Sequence, residues 1–132
     1  MIFAQNLSMS KVVLVTGASS GIGKTTAEFL AKENFKVYGS SRNPKSNLVN
    51  GVHFVSLNLN DEHSIKQAVN QIFTQEGKLD ILINNAGVGI TGPVEETPIE
   101  AAKAHFQTNF FGVMQLTQEV LPIMQKQNAN KL

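Results

Sequence analysis

Between Val13 and Leu30 the chain reads VLVTGASSGIGKTTAEFL, with Gly17, Gly21 and Gly23 set around the hydroxyls of Ser19 and Ser20. Glycines at the point where an apolar run gives way to a helical one leave backbone N–H groups free to meet an anion, and a helix N-terminus adds a favourable dipole. Two chemistries use that arrangement. Read as ASSGIGKT, Ala18 to Thr25, the stretch departs from a phosphate-binding P-loop only in carrying Ala18 for the first glycine, so Lys24 would reach the terminal phosphates of a nucleoside triphosphate. Read as TGASSGIG, Thr16 to Gly23, it is a turn for the pyrophosphate of a dinucleotide, and the chemistry becomes redox.

The elements around this turn alternate between strand and helix. KVVLVT (Lys11–Thr16), FKVYGSS (Phe35–Ser41), VHFVSLNL (Val52–Leu59) and LDILINNAG (Leu79–Gly87) read as strands. The first and last are near-continuous apolar runs, as expected of strands covered on both faces. Ile22, Thr26, Ala27, Leu30 and Ala31 recur at helical spacing after the glycines, whereas RNPKSNLVNG is too short and too rich in Asn, Pro and Gly for a helix and reads as loop. Asp61 is placed to cap a second helix whose apolar face is Ile65, Ala68, Val69, Ile72 and Phe73, and Gly77 ends it. Thr97 and Pro98 are expected to open a long helix that presents Phe106, Phe110, Val113, Met114, Thr117 and Leu121 to a partner, with Pro122 kinking or ending it.

Strands joined by helical crossovers predict an α/β fold, a Rossmann-like doubly wound parallel sheet with helices on both faces. Four strands in the order 3-2-1-4 make only part of the usual six. The fourth strand is apolar enough to be interior, yet no further strand follows, so its edge is expected to lie open. Residues 1–10 read as an extension, and residues 11–132 as one partial domain.

Composition narrows the partners. The 132 residues carry 11 basic and 10 acidic side chains, a net charge of +1 with no long run of either sign, which argues against nucleic acid or an anionic membrane. With no cysteine, disulfides and thiolate metal sites are ruled out. His53, His63 and His105 are scattered, without metal-ligand spacing, and read as isolated surface or loop residues. The N-terminus lacks the basic start and apolar run of a signal peptide, and no apolar stretch is long enough for a bilayer, so a soluble cytoplasmic protein is expected.

The P-loop reading fails downstream. Magnesium chemistry on a triphosphate needs a carboxylate at a strand's C-terminal end. Here the strands end in Ser41, Asn58 and Asn84–Asn85, and Asp80 precedes its apolar run. Lys24 is then an ordinary solvated residue of the first helical turn.

TGASSGIG after the first strand, NNAG (Asn84–Gly87) after the fourth and QTNFFGV (Gln107–Val113) in the next long helix occur in an order that resembles the short-chain dehydrogenase/reductase family. The spacing Gly-x-x-x-Gly-x-Gly, rather than Gly-x-Gly-x-x-Gly, is itself characteristic of that family. The resemblance covers Lys11 to about Lys126 and implies an oxidoreductase that moves a hydride between nicotinamide and a carbonyl or alcohol. It implies coenzyme contacts at Gly17, Ser19, Ser20, Gly21, Ile22 and Gly23 along the pyrophosphate, and at Asn85, Ala86 and Gly87 along a ribose. Asn58, where the family usually carries aspartate, and Leu59 are candidates for the adenine pocket; Asn84 is expected to tie neighbouring strands.

At the end of the second strand an acid would hold the ribose 2′-OH of NAD. This chain has Ser41 and Arg42 instead, where similar enzymes grip a 2′-phosphate, so NADP(H) is expected over NAD(H). Asn109 corresponds to the helix asparagine that supports the family's proton relay. The family's Tyr-x-x-x-Lys pair and its serine are missing: the one tyrosine, Tyr38, lies in a strand and is followed at that spacing by Arg42. The expectation is therefore the coenzyme-binding half of such an enzyme, inactive alone and prone to self-associate through its open strand edge and apolar helix face. A non-catalytic nucleotide-binding or self-associating module is the alternative, and the NTPase a weaker one.

Overall fold

The computed structural model describes residues 10–129, so the extension expected over residues 1–10 lies, apart from Ser10, outside the described residues. A parallel sheet of β1 (Val12–Val15), β2 (Lys36–Ser41), β4 (Val52–Ser56) and β5 (Ile81–Ile83) carries one short antiparallel strand, β3 (Leu48–Val49), in the order β3-β4-β2-β1-β5. Without β3 this is the expected 3-2-1-4. Every residue of β1 is buried, because its side chains alternate between two cores. Val12 and Leu14 pack against helices α2 (Glu62–Glu76) and α4 (Gly112–Ala129), while Val13 and Val15 pack against α1 (Gly21–Lys32).

The two faces are unequal. The α2–α4 face buries Ile65, Ile72, Leu116 and Val120, whereas α1 contributes Ala27 and partly Leu30 and Ala31. The difference lies in the β2–β4 connection, which is a loop plus β3 and not a helix. Its Asn50 and Gly51 have φ of 50° and 80°, the pair of left-handed residues that a tight hairpin turn requires, and they fold Leu48–Val49 back onto β4. The stretch expected as plain loop thus holds a hairpin that its Asn-Gly dipeptide encoded.

Asp61 caps α2 as expected, its Oδ1 accepting from His63 N–H at 3.0 Å, and Gly77 closes it with φ 71°. Phe73 is corrected: it is 41% exposed and lies off the buried face. The long helical region runs as α3 (Ile99–Phe106), a π turn (Gln107–Phe111) and α4. Thr97 does not cap it, since its hydroxyl donates back to the Pro93 carbonyl at 3.0 Å. Pro122 stays inside α4; both it and Gln118, whose carbonyl loses a helical donor, are exposed to water, which lets the helix continue. Gly112, Leu116 and Val120 face the core, so the expected stripe of Phe106, Phe110, Met114 and Leu121 is the exposed one.

β5 sits at the sheet edge with all three residues only partly buried. No helix of the described residues is long and apolar enough to cross a membrane.

Candidate functional site

A cleft of about 440 Å³ runs across the carboxyl ends of the parallel strands, where open α/β sheets place ligands. Its walls are the β1–α1 turn (Gly17, Ser19, Ser20, Ile22), the end of β2 (Ser40, Ser41, Arg42), Leu57 to Asn60 after β4, Asn85 to Val88 after β5, and Thr108 of the π turn. Most sequence-predicted residues therefore meet in one groove. Gly21, Gly23 and Asn109 are not among its lining residues.

The glycines differ in what requires them. Gly17 has φ 66°, and a Cβ there would lie 2.9 Å from Ala86 Cα. Gly21 has φ 58° with open space around its Cβ position and is the first residue of α1. A Cβ on Gly23 would collide with the Gly17 carbonyl oxygen and Asn85 Nδ2. Ser20 is the N-cap residue, yet its hydroxyl makes no capping hydrogen bond and is available to a ligand. Ile22, implied by the family resemblance to touch coenzyme, is 80% exposed at the groove, although it shares its helical spacing with the buried Ala27. An apolar side chain held in solvent beside a polar turn suits contact with a ligand.

Thr16 joins the two halves of the groove. It is buried, and its Oγ1 accepts from the Asn85 N–H at 3.0 Å and the Ala86 N–H at 2.9 Å. Asn85 returns the contact, Nδ2 donating to the carbonyls of Thr16 at 3.0 Å and Gly17 at 3.3 Å. Asn85, not Asn84, thus ties the neighbouring strands, while Asn84 Nδ2 reaches Thr117 Oγ1 of α4 at 3.2 Å. Ser40 Oγ accepts from the Gly17 N–H at 3.3 Å. Neither Thr16 nor Ser40 belongs to the residues that the family resemblance implies. The available signal was a hydroxyl at a buried strand position, which demands a partner.

Asn58 lies two residues past β4, not at its end. Its Oδ1 accepts from the Asn60 N–H at 3.0 Å in a local turn, which leaves a second lone pair for a ligand donor. Leu59 is buried beneath α4, where Gly112 admits its close approach. Asn109 clamps the loop after β5: Oδ1 accepts from the Val88 N–H at 2.8 Å and Nδ2 donates to the Val88 carbonyl at 2.6 Å. The π turn around it breaks the regular helical ladder, as such turns often do at functional positions.

The histidine reading is corrected. His53 lies in β4 with its ring 5.5 Å from Tyr38, and His105 Nε2 is 3.0 Å from Asn109 Nδ2, so neither is an isolated loop residue. No group of His and acidic residues that could hold a metal occurs among the described residues. Tyr38 is buried and donates to Glu76 Oε1 at 2.7 Å; burial and that carboxylate push its phenol well above the usual range, which unsuits it for proton transfer.

Arg42 is the only ionisable residue among those lining the groove. Asp80 is at the opposite end of β5, where Oδ2 accepts from the Val12 N–H at 2.8 Å and Oδ1 from Gln127 Nε2 at 3.1 Å. A magnesium–triphosphate complex would find no carboxylate in the groove among the described residues.

Fold and groove together define a Rossmann-like α/β unit with an open cleft at the carboxyl ends of its parallel strands. The chain belongs to the short chain dehydrogenase family, whose pattern it matches over residues 11–131. It is 42% identical over 122 residues to a 3-ketodihydrosphingosine reductase of Bacteroides thetaiotaomicron, covering 92% of this chain and 45% of that protein. Among solved structures, a short-chain dehydrogenase from Streptomyces avermitilis superposes with a TM-score of 0.82 at 31% identity, over 89% of this chain and 46% of that one. ElxO with NADP bound superposes with a TM-score of 0.80 at 31% identity, over 89% and 52%. The chain spans about half the length of the curated relatives it matches.

Proposed function

We propose that this chain forms the coenzyme-binding half of a cytoplasmic, NADP(H)-dependent oxidoreductase acting on a small carbonyl or alcohol substrate. Bound coenzyme would supply the hydride chemistry. The chain's own residues would seat the pyrophosphate on the Ser19–Gly23 turn, face a ribose with Asn85–Gly87, and receive adenine between Asn58 and Leu59. Asn109 would hold the loop against which the nicotinamide end lies. With Tyr38 sequestered and no tyrosine elsewhere in the sequence, the chain alone binds coenzyme without turnover.

The observation that carries the NADP preference is Arg42 on a groove that no carboxylate lines. An uncompensated guanidinium attracts a 2′-phosphate, and a carboxylate that would repel it is missing. ElxO, a neighbour in fold, binds NADP. A charge-assisted hydrogen bond is worth about 1.5–3 kcal/mol, and about 1.4 kcal/mol is a tenfold change. Arg42→Ala is therefore expected to lower the NADPH-to-NADH affinity ratio by about one to two orders of magnitude in a fluorescence titration. An unchanged ratio removes the assignment.

Self-association accompanies this reading. Phe106 (59% exposed), Phe110 (52%) and Met114 (46%) leave apolar side chains in water, and Leu121 and Met124 line a hollow at the β5 edge. Light scattering is expected to return a dimer or larger species for the chain. A monodisperse monomer that persists on dilution contradicts it.

A further inference from the structure

The side-chain amide of Asn109 is oriented by a single residue's backbone. Oδ1 meets the Val88 N–H at 2.8 Å and Nδ2 meets the Val88 carbonyl at 2.6 Å, so a flip would set oxygen against oxygen and N–H against N–H. Nδ2 therefore has its second hydrogen to place elsewhere, and His105 Nε2, four positions earlier, stands 3.0 Å away. A ring nitrogen facing an amide NH₂ at that distance must accept. For a neutral imidazole, this puts the ring proton on Nδ1. Among the described residues, the buried His105 Nδ1 meets no hydrogen-bond partner.

That orphaned atom is informative. Either tautomer leaves Nδ1 unmet, as an N–H or as a lone pair, but the Nε2–H form would also drive its proton into the Asn109 amide. Buried polar atoms without partners are costly and uncommon. Packing alone would be served as well by an apolar side chain at position 105, which strands nothing. The ring is accounted for if Nε2 is needed where it is. His105 lies in the last turn of α3, and Asn109 sits at the centre of the π turn, where the regular helical ladder gives way to a wider one. Across from them Val88 belongs to the loop that walls the groove, and Gly87 runs so close that a Cβ there would lie 3.4 Å from Asn109 Oδ1. Without an acceptor at position 105, the second amide hydrogen is unmet and draws the amide off Val88.

We propose that His105 is a positioning residue of the groove: its Nε2, kept an acceptor by the proton on Nδ1, holds the Asn109 amide in the orientation that clamps Val88. The consequence for coenzyme rests on reading the groove as a coenzyme site, whereas the consequences for the ring and the loop do not.

Two measurements on the chain test this without a ligand. In isotope-labelled protein, long-range proton–nitrogen NMR of the neutral ring is expected to find the His105 proton on Nδ1; a proton on Nε2 overturns the inference. Hydrogen exchange at the Val88 amide is then compared in His105→Gln, whose Oε1 can accept in the ring's place, and in His105→Leu, which fills space without an acceptor. His105→Leu is expected to speed exchange at Val88 about fivefold, the scale of one hydrogen bond, with the β1 amides unchanged. His105→Gln is expected to stay within about twofold of wild type. Equal exchange in the two variants, or a rise in His105→Leu that the β1 amides share, shows that the ring only packs, and the inference fails. NADPH affinity is expected to follow, about fivefold weaker in His105→Leu and within about twofold in His105→Gln. Unchanged affinity in His105→Leu overturns the positioning role. A wild-type chain that binds no NADPH overturns the coenzyme reading instead, and the tautomer and the Val88 exchange still decide the inference.

Discussion

Gly23→Ala is expected to lower stability by about 2–4 kcal/mol and NADPH affinity more than tenfold, although alanine is the better helix former by about 1 kcal/mol. The added methyl would meet the Gly17 carbonyl oxygen and Asn85 Nδ2, and neither can step aside cheaply. Gly17 is fixed at φ 66° against Ala86, and Asn85 Nδ2 is committed to the carbonyls of Thr16 and Gly17. Ordinary contact distance is restored only if α1 retreats from the sheet by roughly 1 Å. That motion carries the Ser19–Gly23 turn away from the groove, so stability and binding fall together. Gly21→Ala is the control: nothing lies within 4 Å of its Cβ, and the penalty is that of φ 58° alone, about 1 kcal/mol. Urea midpoints at constant slope separate the two. A Gly23→Ala midpoint equal to that of wild type would show that the α1–sheet contact is not the constraint inferred here.

Thr16→Val is the second large effect. The side chains are nearly isosteric, so packing is kept and the hydroxyl is lost. The Ala86 N–H is then left without its acceptor in a part-buried position, and the Asn85 N–H keeps only the Ile83 carbonyl at 3.0 Å. The expected cost is about 2–3 kcal/mol, dominated by the unmet donor. Because Thr16 links the turn after β1 to the turn after β5, coenzyme affinity should fall as well. Thr16→Ser keeps the oxygen and should cost only about 1 kcal/mol for the missing methyl, with binding retained. If Thr16→Val and Thr16→Ser are equally stable, the hydroxyl is not the link.

These effects converge on one arrangement: two strand-end turns held at a fixed separation by Thr16 and Asn85, with small residues wherever their backbones approach. The missing helix on the α1 side is what makes the adenosine end asymmetric. It leaves the end of β2, Ser40 to Arg42, to form that wall.

Local signals in the sequence were sufficient for the features that depend on a few consecutive residues. The β-branched run of Val12–Val15 specified a strand buried on both faces, Asp61 and Gly77 bounded α2, and the glycine spacing marked the turn. The crossover pattern set the order 3-2-1-4, and the apolar Ile81–Ile83 was correctly expected at an open edge. Asn50–Gly51 belongs here too, since its hairpin signal lies in two adjacent residues. What only the tertiary structure decided involves partners about 20 to 70 residues apart. Asn85 rather than Asn84 bridges to Thr16, 69 positions away, and Asn109 clamps Val88, 21 positions away. Lys24 Nζ pairs with Glu28 Oε1, an oxygen that Asn50 also reaches from 22 positions away. Periodicity assigns a residue to a face of its own element. Which of two adjacent amides meets a partner depends on how elements dock, and that is set by the close backbone approach at Gly17, Gly23 and Gly112.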